Sequence, residues 1–360
     1  MKNRYKPHLI KIMRARTSVG RDLEHGVRLD RNERVTNFSD SIIRDLYAYI
    51  PTYAFNVYPD LDRLYGKLSK WTGLSVEELY VTNGITEGIR IIFETLVNPG
   101  DKVLAISPSF PMYHIYGQIY QAEWCAVELS KDLTIDIGEL IGSIDKRTAL
   151  VCLPNPNLPI ENLFSVQQIR SLADKCKECG AILVVDEAYY YFGSTSAISL
   201  VAEYDNLVVF QTFSKALGLA GVRLGYIVSN KDNIEYLSKT RSLVEINGIS
   251  AAIGEYILDH PEIMNEYVRD VKIGREYIQQ ELRNMGIKYS GGQITNGMLI
   301  FLNTKAETEA LLEVLKKSRI YVRGSFGPPI DNCIRLTLGP QEAMERFIAV
   351  FKKWLSDKES

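Results

Sequence analysis

The stretch "AILVVDEAYYYFGSTSAISLVAEYDNLVVFQTFSKALGLAGVRLGYIV" (Ala181–Val228) holds two apolar runs, and a charged side chain follows each of them. Asp186 comes directly after "AILVV", and Ser214–Lys215 follows "NLVVFQTF" at the start of the glycine-rich turn "SKALGLAG". Short runs rich in Val, Ile and Leu read as strands buried on both faces of a sheet. Ligands of such sheets bind at the carboxyl ends of the strands, which is where Asp186 and Lys215 fall. A carboxylate behind five apolar residues needs a cation or hydrogen-bond donors to offset its burial. Taken singly, Asp186 also reads as a turn cap and Lys215 as a solvated loop lysine.

Outward from this stretch, apolar runs keep alternating with helical patterns. "KVLAIS" (102–107), "TALVCLP" (148–154) and "VRLGYIV" (222–228) read as further strands, with helices expected from Thr86 to Val97 and from Ser165 to Cys179. The alternation predicts an α/β fold whose mainly parallel sheet is covered on both faces. Beyond about residue 230 the character changes. A long helical stretch to about Met285 is followed by "MLIFLNT", a helix, "IYVRG", "CIRLTLG" and a final helix "QEAMERFIAVFKKWL". This gives a large domain over 36–245, a smaller α+β domain over 246–360, and an N-terminal segment, 1–35, that joins the small domain or covers the site.

At 360 residues, with 46% hydrophobic and 24% charged residues and a formal charge of -2, the chain has ordinary globular composition. Lys and Arg are scattered, so no nucleic-acid partner is expected. No apolar run approaches a membrane span, and the opening "MKNRYKPHLIKIMRARTS" lacks the apolar centre of a signal peptide, so a cytoplasmic protein is expected. Cys176 and Cys179 form a lone CxxC with no second pair or His cluster to complete a zinc site, and no metal is expected.

"VVDEAY", with Lys215 of "TFSKALGLAGVRLGY" 29 residues after Asp186, resembles the fold type I pyridoxal-phosphate enzymes, and in wording the histidinol-phosphate aminotransferase group of class I and II aminotransferases. The resemblance extends through "NVYPD" (56–60), "VTNGITEGI" (81–89), "NPGDKVL" (98–104), "SPSFPMY" (107–113), "NPNLP" (155–159) and "CIRLTLG" (333–339), in order and at family-like spacing. It implies a seven-stranded-type large-domain sheet and pyridoxal 5'-phosphate as cofactor. By the same resemblance Lys215 carries the cofactor as a Schiff base and shuttles the substrate proton, Asp186 pairs with the ring nitrogen, and Tyr189 donates to the phenolic oxygen. Phe110 resembles the aromatic that stacks on the ring. Gly84, Ile85 and Thr86 open a helix whose N-terminus holds the phosphate, and Ser214 and Arg223 complete that cup. Arg335, with Arg323, resembles the grip on the substrate's anionic group. Tyr58 resembles the tyrosine that reaches the neighbouring subunit's cofactor, which implies a homodimer with shared active sites.

Two departures stand out. Where the family reads Asn-Pro-Asn-Asn-Pro, this chain reads "NPNLP", so Leu158 replaces an asparagine that donates to the phenolic oxygen; Tyr189 then remains the main donor, or Asn157 reaches in through a shifted loop. At "RLDRNERV", Asn32 and Glu33 are followed by Arg34 instead of Asn, and with Arg28 and Arg31 this reads either as a solvated basic segment or as an extra anion contact. The leading expectation is an aminotransferase acting on a small phosphorylated amine or keto compound, histidinol phosphate by resemblance, with glutamate/2-oxoglutarate as the amino-group partner. The alternative is a decarboxylase of O-phosphoserine or O-phosphothreonine, because one cofactor serves both reactions and only the bond that breaks differs.

Overall fold

The computed structural model describes residues 4–13, 20–130 and 132–359. Part of the opening segment, residues 1–3 and 14–19, lies outside the described residues. The chain builds a seven-stranded sheet in the spatial order Leu79–Thr82, Gly225–Val228, Leu207–Thr212, Ile182–Asp186, Thr148–Pro154, Lys102–Ser107, Glu123–Glu128. Only Gly225–Val228 runs against its neighbours, so the sheet is mainly parallel as expected.

The apolar runs bury both faces because successive side chains in a strand point to opposite sides. Leu183, Val185, Leu207, Val209, Val151 and Leu153 join one core, and Val184, Val208, Phe210, Cys152 and Val103 join the other. Helix Val166–Cys179 covers the first face with Ile169, Leu172, Ala173 and Cys176. It starts at a capping box, in which Ser165 and Gln168 satisfy each other's backbone N–H groups, and ends at Gly180, where φ is 79°. Helix Ile85–Leu96 covers the second face with Ile89, Ile92 and Phe93.

The two strands that apolar runs did not announce are the sheet's edges. Leu79–Thr82 has only four residues, and Glu123–Glu128 carries a glutamate at each end, as an edge exposed to water permits. The strand expected over 222–228 begins only at Gly225, because Arg223 adopts φ 60° in the preceding turn. The long helical stretch expected to Met285 divides into Lys231–Leu237, Gly248–Asp259 and Pro261–Asn284. Asn247 caps the second of these and Pro261 opens the third, where its missing N–H does no harm.

The C-terminal part forms an antiparallel sheet in the order Cys333–Thr337, Gly297–Phe301, Tyr289–Gly291, packed with helices Lys305–Lys317 and Gln341–Glu359. A short N-terminal strand, Val27–Leu29, pairs in parallel with Ile320–Val322. That pairing sets where the following residues, Asp30–Glu33, begin, and they meet Lys215 and Tyr189 on one side and Arg335 and Thr337 on the other. No helix among the described residues is long and apolar enough to cross a membrane.

Helix Pro261–Asn284 lies so close to the turn after Cys333–Thr337 that a Cβ on Gly274 would meet the Gly339 carbonyl oxygen at 2.0 Å. Gly66, in helix Asp62–Thr72, has open space instead. Urea unfolding should therefore show Gly274→Ala destabilising the protein by about 3 kcal/mol, since backbone has to move. Gly66→Ala should stabilise it by about 1 kcal/mol through helix propensity.

Candidate active site

Asp186 is the last residue of its strand and only 4% exposed. Its carboxylate accepts hydrogen bonds from Tyr113 Oη at 2.7 Å and from the Ala188 N–H at 3.0 Å. Burial pushes its pKa up, while the Tyr113 bond, the Ala188 N–H and the charge of Lys215 pull it down. Tyr113 lies in helix Met112–Ile119, and burial, reinforced by Asp186 and Cys152, holds its phenol well above the usual range. Tyr113 ends the motif "SPSFPMY", whose spelling alone does not reveal a part for it. Its signal was a phenol at the start of a helix that follows a buried strand.

Also past the carboxyl end of its strand, Gly84 caps helix Ile85–Leu96 with φ 78°, and Thr86 lies in the first turn. A Cβ on Gly84 would fall 2.5 Å from Arg223 Nη2, so the guanidinium rests on the bare Cα. Arg223 Nη1 donates to the Ala220 carbonyl at 3.2 Å and to Ser214 Oγ at 3.5 Å. Two chain segments, the start of helix Ile85–Leu96 and the turn that carries Ser214 and Arg223, thus meet at Gly84. The N–H groups of the helix's first turn, a hydroxyl and a guanidinium form a cradle that suits a phosphate.

Lys215 follows strand Leu207–Thr212; its Nζ lies 5.6 Å from the centre of the Tyr189 ring and donates to the Arg31 carbonyl at 3.1 Å. Arg31 belongs to the Asp30–Glu33 loop, whose neighbouring residues also touch the site. Arg335 Nη2 donates to the Asp30 carbonyl at 2.7 Å, and Asn32 Nδ2 donates to Tyr189 Oη at 2.9 Å. Arg21 clamps this loop by pairing with both Asp30 and Glu33. The Arg335 Nε is buried without a partner, and burial, together with the nearby charge of Arg323, lowers the guanidinium's pKa. Arg323 is exposed and bridges to Arg335 through the backbone.

The other sequence candidates lie as follows. Asn157 is fully buried, and its amide donates to the Pro108 carbonyl at 3.1 Å and the Ile160 carbonyl at 3.3 Å, so both its protons are used. Leu158 is buried against Gly297. The Arg34 guanidinium is sandwiched between the rings of Phe38 and Tyr267, 4.6 and 4.3 Å from their centres, and is not a solvated basic side chain. Phe110 is 41% exposed and edge-on to Tyr113. Tyr58 is 77% exposed and lines a cleft of about 620 Å³ with Ala54–Pro59, Asn83 and Val244–Gly248. Among the described residues no cluster of His, Cys, Asp and Glu is arranged to hold a metal ion, and all five cysteines are free.

Residues 51–351 match the family described as "Aminotransferase class I and II". The chain belongs to that family. It is 32% identical over 341 residues to "Histidinol-phosphate aminotransferase 1" of Carboxydothermus hydrogenoformans, covering 94% of this chain and 92% of the relative. Its fold is shared with the histidinol-phosphate aminotransferase of Sinorhizobium meliloti, solved in complex with pyridoxal-5'-phosphate (TM-score 0.85, 20% identity, 98% of each chain). It is shared as well with L-threonine-O-3-phosphate decarboxylase of Porphyromonas gingivalis (TM-score 0.73, 23% identity, 92% of this chain and 99% of that one).

The aminotransferase's cofactor is pyridoxal phosphate, and the geometry fits it. A buried carboxylate suits a ring nitrogen, the cradle at Gly84 suits a phosphate, and Lys215, whose charge reaches Asp186, supplies an amine. On the far side of Asp186, Glu187 accepts bonds from Ser196 Oγ at 2.6 Å, the Ala197 N–H at 2.5 Å and Gln211 Nε2 at 2.8 Å. Burial still pushes its pKa from 4.5 up to about 7, against those three bonds and with help from Asp186.

Two outcomes follow for the aminotransferase. Between about pH 4.5 and 7 the folded protein holds a proton on Glu187 that the unfolded chain has released. The cofactor-free protein should therefore lose stability relative to Glu187→Gln as pH rises through that window, and the difference should level off above it, as read by denaturant titration at several pH values. Gly84→Ala should displace Arg223 and weaken pyridoxal phosphate binding by about 10-fold or more, read by equilibrium dialysis, because one charge-assisted bond is worth roughly 1.5–3 kcal/mol.

Proposed function

We propose that this aminotransferase exchanges an amino group between glutamate and a small phosphorylated keto compound of the histidinol-phosphate type, working as a homodimer. The observation that carries the substrate class is the half-buried Arg335 guanidinium, whose buried Nε has no partner and which has a second guanidinium, Arg323, near it. Such a pair favours an anion, and Arg holds carboxylate and phosphate alike through paired N–H donors. The two substrates take turns at one site, so the carboxylate of glutamate and the phosphate of the second substrate share these cations.

When bound, the cofactor supplies an electron sink for the bonding pair left at the substrate's α-carbon. Asp186 keeps the ring nitrogen protonated, since a buried carboxylate this poor in donors is stabilised by a neighbouring positive charge. Lys215 Nζ would take the substrate's α-proton and hand it to the cofactor across the substrate nitrogen, acting as base and then as acid. Tyr189 donates to the phenolic oxygen, Phe110 covers the ring face, and Gly84, Ile85, Thr86, Ser214 and Arg223 hold the phosphate. Tyr58 serves the partner's site. Tyr47, Tyr53, Phe55, Val57, Tyr58 and Leu243 are exposed, and so much apolar surface calls for a covering partner.

Mixing the cofactor-loaded protein with glutamate should convert the visible absorbance in a single turnover without releasing carbon dioxide, and Lys215→Ala should abolish the conversion. Arg335→Ala should lower kcat/KM by about 100-fold, the effect of leaving a substrate anion without its cation. Carbon dioxide released from O-phosphothreonine, with no response to glutamate, would overturn the proposal in favour of decarboxylation.

A further inference from the structure

Leu158 leaves the aminotransferase without the amide donor expected at that position, and Asn157 has spent both of its protons on backbone carbonyls. Tyr189 remains as a donor to the cofactor's phenolic oxygen. A phenol is useful there only if its hydrogen points the right way, because the same oxygen also accepts. Nothing in Tyr189 itself fixes that choice.

Asn32 does. It is 1% exposed and held in a left-handed conformation, φ 54°. Its N–H donates to Thr337 Oγ1 at 2.9 Å, the same hydroxyl donates back to Asn32 Oδ1 at 3.0 Å, and its carbonyl accepts from Asn296 Nδ2 at 3.2 Å. With Oδ1 fixed as the acceptor, the amide can turn only Nδ2 toward Tyr189, to which it donates at 2.9 Å. That bond occupies a lone pair of the phenol oxygen. Among the described residues no acceptor stands ready for Tyr189's own hydrogen. Asn32 also lies next to the substitution: the bare Cα of Gly297 faces Leu158, and a Cβ there would sit 2.9 Å from Leu158 Cδ1 and 3.6 Å from Asn32 Nδ2.

We infer that Asn32 is a positioning residue that sets the direction of the Tyr189 hydroxyl, so that the relay Thr337–Asn32–Tyr189 delivers one oriented proton to the cofactor's phenolic oxygen in place of the amide lost at Leu158. The inference rests on pyridoxal phosphate as the cofactor. It assigns Asn32 to the cofactor's electronics instead of to the substrate's anion.

The test is a pH titration of the visible absorbance of the cofactor-loaded protein without substrate. The midpoint reports how tightly the proton between the Lys215 nitrogen and the phenolic oxygen is held, and a donor to that oxygen loosens the hold and lowers the midpoint. Asn32→Ala should raise it by about one pH unit. Asn32→Asp should raise it as far as Tyr189→Phe does, because an ionised carboxylate captures the phenol's hydrogen and turns it away. In a Tyr189→Phe background, Asn32→Ala should add nothing. Thr337→Val, which keeps Asn32 but releases its Oδ1, should shift the midpoint the same way by less, and it carries the test if Asn32→Ala does not fold. An unmoved midpoint in Asn32→Ala or Thr337→Val, or an equal shift with and without the Tyr189 hydroxyl, would overturn the inference. A wild-type protein that gives no visible band with pyridoxal phosphate would sink the cofactor reading as well.

Discussion

The site is organised around one unfavourable placement, a carboxylate at the end of a buried strand with a phenol and a single N–H for company. Asp186 is held in a place where its charge is disfavoured, and a positive charge placed beside it would relieve that cost. The surrounding elements serve that condition. Strands on either side exclude water, Tyr113 tethers one oxygen, and the turn at Ala188 tethers the other. A polar strand end in open solvent would exert no comparable preference for a cation.

A second constraint comes from the other end of the chain. The loop Asp30–Glu33 reaches Arg335, Lys215 and Tyr189 with successive residues, using two backbone carbonyls and one side chain. Arg21 pins it from outside, and the parallel pairing of Val27–Leu29 with Ile320–Val322 sets where it starts. Backbone carbonyls accept hydrogen bonds whatever side chain stands above them. Only the third contact depends on a particular residue, and this separates what the loop does as a shape from what Asn32 does as a chemical group.

Much of this architecture was legible in the sequence because central strands buried on both faces have little freedom in composition. "TALVCLP" and "KVLAIS" coincide with strands Thr148–Pro154 and Lys102–Ser107. The edge strands escaped because solvent on one side permits glutamates, as in Glu123–Glu128. The breaks between residues 230 and 285 escaped because helix-forming residues run on through the stretch, so Asn247 and Pro261 did not stand out as start signals. Within the site, residue types and chain spacing pointed to Asp186 and Lys215, but pairings across the fold did not show. Tyr113 and Asp186 are 73 positions apart, and Asn32 and Tyr189 are 157 apart. Arg34 illustrates the limit: its formula suggests a solvated charge or an anion contact, and only the fold reveals two rings enclosing it.

The reversed strand Gly225–Val228 has a kinetic side. Because it runs backwards beside Leu207–Thr212, Thr212 is paired with Gly225, and the excursion that carries Ser214, Lys215 and Arg223 leaves and rejoins the sheet at the same rung. Both ends of that excursion are anchored, so the lysine amine is confined to a small volume above the strand ends. A tethered amine behaves as a reagent at very high local concentration. Much of the entropy that any partner would otherwise have to remove from it was already lost when the sheet formed, before any ligand arrived.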